Sequence, residues 1–329
     1  MHPSELWEGQ STGPRLARLA LTPASWLYAV GWQTYLAVYR LGLKKAKRPH
    51  SPVVCVGNLV SGGSGKTPAT LYIVEVLRGL GYNAVVSCSG YGSPASEAAQ
   101  IAPEGPLKAS EWGDEAALFR WLVPDLPLIV GRRRVLAAQL CHDRYPDSVL
   151  LMDDGFQHLP LAKDLTIVLD PESPVNKRCL PAGPYREPRG NRARADLVIP
   201  GQFRVEEEPG LLSEPDGKVR MVEECTLLCA LAQPRKVVAT LAAMGVRVVE
   251  ETLLADHDPL TAGTLVSGLP NGRPVVVTAK DWVKLRERKD VDQRDFLILK
   301  HTVRIEAAAD FADWLKRRLH GFQTQSHPQ

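Results

Sequence analysis

The sequence predicts an α/β protein with a mostly parallel sheet, a second, smaller α/β domain and an N-terminal membrane-associated helix. Three observations carry this. Short uninterrupted apolar runs alternate with helical stretches, the pattern of parallel strands covered on both faces. A glycine-rich loop joins the first of these runs to a helix. The first 48 residues stand apart: seven Lys/Arg side chains oppose only Glu5 and Glu8 in a chain of net charge +3, and Trp7, Trp26, Tyr28, Trp32, Tyr35 and Tyr39 lie there.

The elements follow in order. Residues 24–43 read as one helix, with Leu27, Val30, Tyr35, Val38 and Leu41 near one face. It runs into the basic cluster at 44–48, and Pro52 ends any helix. A strand at 53–57, the loop, a helix at 66–79 and a strand at 84–88 make a βαβ unit. Residues 89–113, rich in Gly, Ser, Pro and Ala, read as loop, and a helix begins near Asp114. Apolar strands are expected at 126–130, 148–153, 165–169 and 196–200. The proline-rich stretch 171–195 is long for a structureless loop, which points to function. An acidic, turn-rich segment at 201–223 marks a boundary. Beyond it come strands at 226–231, 246–250 and 274–278, a loop at 255–260, and helices at 235–244, 281–288 and 307–319. The expected domains are a leader at 1–48, a nucleotide-binding domain at 49–200, a smaller C-terminal α/β domain at 201–320 that closes over the site, and a tail at 321–329.

The 329 residues suffice for about two domains. Hydrophobic residues at 44% and charged residues at 23% are globular values, which excludes disordered, fibrous and disulfide-scaffold classes. A net charge of +3 is too small for a general nucleic-acid binder. The six cysteines form no CxxC pair or zinc spacing and read as buried thiols in a reducing compartment. The N-terminus lacks the layout of a secretory signal.

The loop Ser61-Gly62-Gly63-Ser64-Gly65-Lys66-Thr67 ends a strand and opens a helix. Backbone N–H groups there can face phosphate oxygens, and the helix N-terminus adds partial positive charge. Lys66 would bridge the β- and γ-phosphates of ATP, and the Thr67 hydroxyl would hold Mg²⁺. One position departs from the usual spacing, since Val60 stands where a glycine is expected. The strand at 148–153 ends in Asp153-Asp154, carboxylates that would complete a Mg²⁺ shell at a strand's carboxyl end. Together these place the chain among P-loop NTPase-type proteins. Ser61 replaces the signature lysine of partitioning ATPases, and Thr278-Ala279-Lys280-Asp281 matches a guanine-reading motif poorly.

Further strings make the chain similar to the tetraacyldisaccharide 4'-kinase family. They are Gly57-Asn58-Leu59, Gly90-Tyr91-Gly92, Gly113-Asp114-Glu115, Asp153-Asp154-Gly155-Phe156-Gln157-His158, Leu180-Pro181-Ala182-Gly183-Pro184 with Arg186-Glu187, and Asp256-His257 with Pro259-Leu260-Thr261. The resemblance implies transfer of the ATP γ-phosphoryl group to the 4'-hydroxyl of a tetraacylated glucosamine disaccharide 1-phosphate, forming lipid IVA on the cytoplasmic face of the Gram-negative inner membrane. It also implies that Asp114, paired with His257, acts on the acceptor hydroxyl. Asp114 opens a helix after a glycine, so an N-cap is its plain structural alternative, and a surface loop histidine is that of His257. Asp256 caps the loop or supports the site. The resemblance sets Arg134, beside Arg133, near the phosphates or the acceptor, against a basic helix start. Arg186-Glu187 binds the acceptor sugar or orders the site, against a surface ion pair. Gln157 and His158 position phosphate or water, against a structural histidine. Ser89 and Ala279 depart from the family pattern.

An acylated acceptor stays in the bilayer, so the kinase must come to the surface. The aromatics of 24–43 favour headgroup depth, and Arg40 to Arg48 can meet anionic lipid. Gly31, Gln33 and Thr34 make the helix too polar to span, so a helix lying in the interface is expected, or one packed on the sheet, or both with one face each way. The expected partners are the acylated disaccharide phosphate and the membrane surface, with no nucleic acid and no protein partner required. The competing functions are a membrane-recruited P-loop ATPase switch without a lipid acceptor and a small-metabolite kinase.

Overall fold

The computed structural model describes residues 3–62 and 65–323. Gly63 and Ser64, two of the expected phosphate-loop residues, lie outside the described residues, as does most of the expected tail. The chain folds into two compact units, and neither is a single stretch of sequence. One holds the chain up to Cys88, Arg133–Val205 and the part from Ile305 onward; the other holds Ser89–Arg132 and Glu206–Arg304.

The chain opens with α1 (Pro3–Glu8) and α2 (Thr12–Arg40). Helix α2 starts twelve residues before the expected position, so Pro23 lies inside it. Pro23 is exposed, where solvent can meet the carbonyl its missing N–H leaves unbonded. Arg18 donates to the Leu6 and Gly9 carbonyls at 2.7 and 2.9 Å and ties the two helices together. β1 (Val53–Asn58), α3 (Lys66–Gly79) and β2 (Asn83–Cys88) form the expected βαβ unit. α3 buries Ala69, Thr70, Ile73, Val74 and Leu77, a stripe at helical spacing. Its end carries a left-handed Gly81 whose N–H reaches back to the Arg78 carbonyl.

The stretch expected as loop contains β3 (Gln100–Ile101) and α4 (Ala109–Trp112), followed by α5 (Asp114–Leu122) and β4 (Leu128–Val130). α6 (Arg134–Arg144), β5 (Ser148–Asp153), β6 (Leu165–Leu169) and β7 (Leu197–Ile199) come next. β8 (Val205–Glu207) and β9 (Leu211–Ser213) occupy the acidic segment. Then come β10 (Glu224–Cys229), α7 (Pro234–Ala243), β11 (Arg247–Leu253), β12 (Val275–Thr278) and α8 (Ala279–Leu285). β13 (Phe296–Lys300), β14 (Val303–Ile305) and α9 (Ala308–Gln323) complete the chain.

In the first unit the strands run β2-β5-β1-β6-β7, all parallel, and β1 and β5 are buried along their whole length. The second unit has β11-β10-β12-β13 in parallel, with β9 antiparallel on β13. Leu227, Cys229, Leu241, Val276 and Leu297 sit in its core. This is the expected mixed α/β class with large parallel sheets. The partition differs from the contiguous one expected. Residues 107–110 go with the second unit because the Ala109 amide and Ser110 hydroxyl bond the Glu287 carboxylate, and Arg286 donates to the Leu107 carbonyl at 2.8 Å. α9 goes with the first because Phe311 and Trp314 pack on Phe203, and Phe311 on Tyr72.

α2 presents two faces. Ser25 donates to the Cys179 carbonyl (2.7 Å), Tyr28 to the Arg186 carbonyl (2.8 Å) and Gln33 to Asn191 Oδ1 (3.0 Å). Leu16, Leu19, Trp26, Leu27 and Val30, with Leu41 and Leu43 just beyond, are 60–75% exposed. Among the described residues no helix is long and apolar enough to cross a membrane. All six cysteines are buried, and none is in a disulfide. Burial pushes Cys55 up to about 11 and Cys141 up to about 12, so these thiols are poor nucleophiles.

Candidate active site

Two polar constellations stand out, one in each unit. The first gathers where β1 and β5 end. Gly65 caps α3 with φ +72°, a left-handed conformation that glycine adopts without steric cost, and this puts Lys66 at the first helical position. Ser61 donates its N–H to the Pro184 carbonyl (2.8 Å) and Arg186 to the Leu59 carbonyl (2.7 Å). The proline-rich segment is therefore paired with the entrance of the glycine-rich loop.

Asp153 and Asp154 take different roles. Asp153 is 1% exposed and accepts the Thr70 hydroxyl at 2.9 Å. Asp154 has a left-handed backbone (φ +54°), the sort of local strain that collects at functional sites. Its carboxylate receives a two-pronged Arg186 guanidinium at 2.7 and 3.0 Å and lies 3.6 Å from Lys66 Nζ. Burial alone would raise its pKa, but the charges of Lys66, Arg186 and Arg134 outweigh that and hold it at about 2. Arg186 also donates to the Asn58 side chain.

The remaining expected residues in this unit form its support. Arg134 is buried and donates to Ser87 Oγ (3.0 Å) and to the Asp153 carbonyl (2.8 Å). It fixes the chain at the paired aspartates, while Arg133 caps α6 and is exposed. Glu187 is fully buried; it accepts from Gln157 (3.0 Å), Asn191 (2.9 Å) and Arg194 (2.5 Å), which is not a surface ion pair. Gln157 also donates to the Asn58 carbonyl at 2.9 Å. His158 offers its carbonyl to Lys163 at 2.7 Å. Burial, with the Lys163 and Arg134 charges, pushes the His158 imidazole down to about 4.

That shift has a sign. His158 is neutral when folded and ordinary when unfolded, so below about 6.5 the unfolded chain binds the extra proton and stability falls. Between pH 7 and pH 4.5, wild type should lose about 2 kcal/mol more than His158→Gln, after allowance for partial exposure. Urea unfolding at the two pH values measures this, and equal losses in both proteins would remove the assignment.

The second constellation lies at the start of α5. Gly113 has φ +89° and takes the N-cap position. Asp114 is therefore the first helical residue rather than the cap, and its carboxylate turns to His257, with Oδ2 3.3 Å from Nδ1. The two belong to one unit, so they meet without any closure of one domain on another. His257 sits in a left-handed conformation (φ +63°), and its ring meets that of Tyr91 in a T-shaped arrangement with centroids 6.3 Å apart. Asp256 Oδ2 is 4.0 Å from His257 Nε2. Burial would raise the Asp114 pKa, but the His257 hydrogen bond and the Lys284 and Lys280 charges leave it below the ordinary carboxylate range.

Sequence reasoning assigned no role to Lys280 or Lys284. Lys280 Nζ lies 3.3 Å from His257 Nε2, and Lys284 Nζ lies 3.9 Å from Asp114 Oδ2. Their i,i+4 spacing was the available signal, since it puts both on one face of α8.

The chain is similar to known proteins over nearly its whole length. A profile of tetraacyldisaccharide-1-P 4'-kinases matches residues 17–320. A tetraacyldisaccharide 4'-kinase of Aromatoleum aromaticum is 32% identical over 321 residues, covering 90% of this chain and 92% of its own. One from Shewanella woodyi is 32% identical over 287 residues, covering 84% and 83%. The crystal structure of LpxK from Aquifex aeolicus in complex with ATP superposes with a TM-score of 0.77 at 26% identity, covering 92% of this chain and 99% of that one. The chain belongs to the tetraacyldisaccharide-1-P 4'-kinase family.

Proposed function

We infer that this chain transfers the γ-phosphoryl group of ATP to the 4'-hydroxyl of a tetraacylated glucosamine disaccharide 1-phosphate, giving lipid IVA. The observation that carries this reading is the family match across residues 17–320, which takes in both constellations. Phosphoryl transfer asks a protein for positioning and charge neutralisation more than for covalent chemistry. In the first unit, the loop Gly62 to Thr67 is a P-loop that cradles the phosphates with backbone N–H groups. Lys66 supplies a point charge for the β- and γ-phosphates, and the ionised Asp154 keeps its ammonium at the mouth of the loop. Arg186 and Arg134 set the two aspartates, and Gln157 and Glu187 brace Asn58 and the chain around Arg186.

The oxygen donors Thr67, Asp153 and Asp154 suit a hard cation such as Mg²⁺. A carboxylate held ionised down to about pH 2 has the charge such an ion needs. When bound, Mg²⁺ neutralises charge on the transferring phosphate. In the second unit, Asp114, ionised and hydrogen-bonded to His257, accepts the proton of the acceptor hydroxyl. His257 orients it, and Asp256 stands beside the imidazole.

The exposed apolar face of α2 and the exposed basic cluster at 44–48 suit a peripheral seat on the cytoplasmic face of the inner membrane. Basic residues near an anionic surface contribute about 1 kcal/mol each. Replacing Lys44, Lys45 and Lys47 by alanine should weaken binding to anionic vesicles by roughly 100-fold and leave binding to zwitterionic vesicles unchanged. Vesicle co-sedimentation reads this, and equal binding by both proteins would remove the basic cluster from the membrane seat.

The test of function is ATP γ-phosphate transfer to tetraacyldisaccharide 1-phosphate in mixed micelles, with Lys66→Ala as control. Labelled lipid absent from the control supports the kinase. ATP turnover without labelled lipid favours a membrane-recruited ATPase switch, and transfer to a soluble acceptor without detergent favours a small-metabolite kinase.

A further inference from the structure

Helix α8 opens on Thr278-Ala279-Lys280-Asp281, with Lys284 one turn later. The Lys284 side chain is only 4% exposed. Burying an ammonium is costly unless oxygen atoms compensate it. Here its Nζ donates to the Asp258 carbonyl at 2.8 Å and lies 3.3 Å from Asp281 Oδ1 and 3.9 Å from Asp114 Oδ2. Asp281 is itself fully buried and fixed: its Oδ2 accepts from the Thr278 hydroxyl (2.8 Å) and the Ala230 N–H (3.2 Å).

Asp258 follows His257 in a loop with two left-handed non-glycine residues, His257 and Leu260. Such backbone persists only where surrounding contacts hold it. Those contacts include Lys284 on the Asp258 carbonyl, the Leu260 N–H on Asp258 Oδ1 (2.8 Å) and Arg288 on the Leu260 carbonyl (2.6 Å), beside Asp114 and Lys280 on the His257 ring. Of the three donors Lys284, the Leu260 N–H and Arg288, Lys284 is the one that also faces Asp114, at 3.9 Å. We propose that Lys284 is a positioning residue for phosphoryl transfer, tying the His257 loop and Asp114 to the buried Asp281 carboxylate so that the pair stands at its working distance. This rests on the catalytic reading of Asp114 and His257 given above.

The charged and titratable neighbours of the pair are few. Asp114 faces His257, Lys284 and Lys280; His257 faces Asp114, Asp256, Lys280 and Tyr91. Lys280 is less buried and can turn to solvent, whereas Lys284 is enclosed.

The test compares Lys284→Met/Asp281→Asn, Lys284→Arg and Asp114→Asn. Removing both members of the buried pair avoids leaving one charge uncompensated, and circular dichroism with ATP binding verifies folding. The double variant should lose about 100-fold in kcat with KM for ATP unchanged. The acid limb of its kcat–pH profile should move to higher pH, because a cation favouring ionised Asp114 is gone. Lys284→Arg should restore most of kcat with the limb in place. In an Asp114→Asn background the double variant should add no further loss.

A parental kcat in the double variant, or a loss with the acid limb unmoved, overturns the proposal, as does a displaced limb in Lys284→Arg. An inactive Asp114→Asn beside a fully active double variant overturns it alone. A fully active Asp114→Asn overturns the catalytic reading of the pair and this proposal with it.

Discussion

Lys66→Ala lowers phosphoryl transfer by about 10²–10³-fold or more, with the fold intact. The side chain is the charge at the head of α3 and lies 3.6 Å from an Asp154 carboxylate that Arg186 also grips. Removing it leaves Asp154 satisfied by Arg186, so stability changes little. What is lost is a preorganised positive charge at the loop that opens α3, where removal of one electrostatic group typically costs that factor. Lys66→Arg should rescue poorly, because a planar fork does not replace a compact ammonium. Steady-state transfer, with thermal melting as the check on folding, decides. Near-parental turnover in Lys66→Ala would exclude the loop from catalysis.

Asp114→Asn leaves nucleotide binding unchanged and lowers kcat by about 10²–10⁴-fold, the range of a lost general base. Asparagine keeps the shape and can still meet His257, so the loss isolates the charge and the proton acceptor. Because the folded pKa of Asp114 lies below its ordinary value, its ionised form is present throughout the neutral range. By the same linkage, its ion-pair contribution to stability is complete above the ordinary carboxylate pKa and disappears as pH falls through the lowered folded value. Activity of the parent should therefore persist to lower pH than an ordinary carboxylate would allow. Normal kcat in Asp114→Asn, measured beside ATP binding by calorimetry, would end the assignment of Asp114 as base.

Much of this was legible along the chain because the relevant physics is short-range. Residues 53–56 and 149–152 are apolar and continuous because both faces of their strands are covered, and that pattern survives without knowing the neighbours. The step from strand to Gly65 to Lys66 is local backbone chemistry, and the βαβ order follows from it. Asp114 after Gly113 showed a helix start for the same reason. Strands such as β3 and β9 were not visible: two or three residues with no strong period become strands only when a partner supplies the ladder, whereas β13, Phe296–Lys300, carries the same continuous apolar run and was overlooked.

The sequence by itself determined the α/β class, the glycine-rich turn between the first strand and its helix, the adjacency of Asp153 and Asp154, and the family to which the chain belongs. Tertiary structure alone decided how the chain divides, since residues 89–132 pack with a segment more than 70 residues further along. It also decided what each charge faces. Glu187 became the buried hub for Gln157, Asn191 and Arg194, and Lys284 became an enclosed ammonium between Asp114 and Asp281. A carboxylate or an ammonium reads the same in sequence whether it ends in water or in the interior. Its partners and its desolvation, which set its energy, exist only once distant segments have folded together.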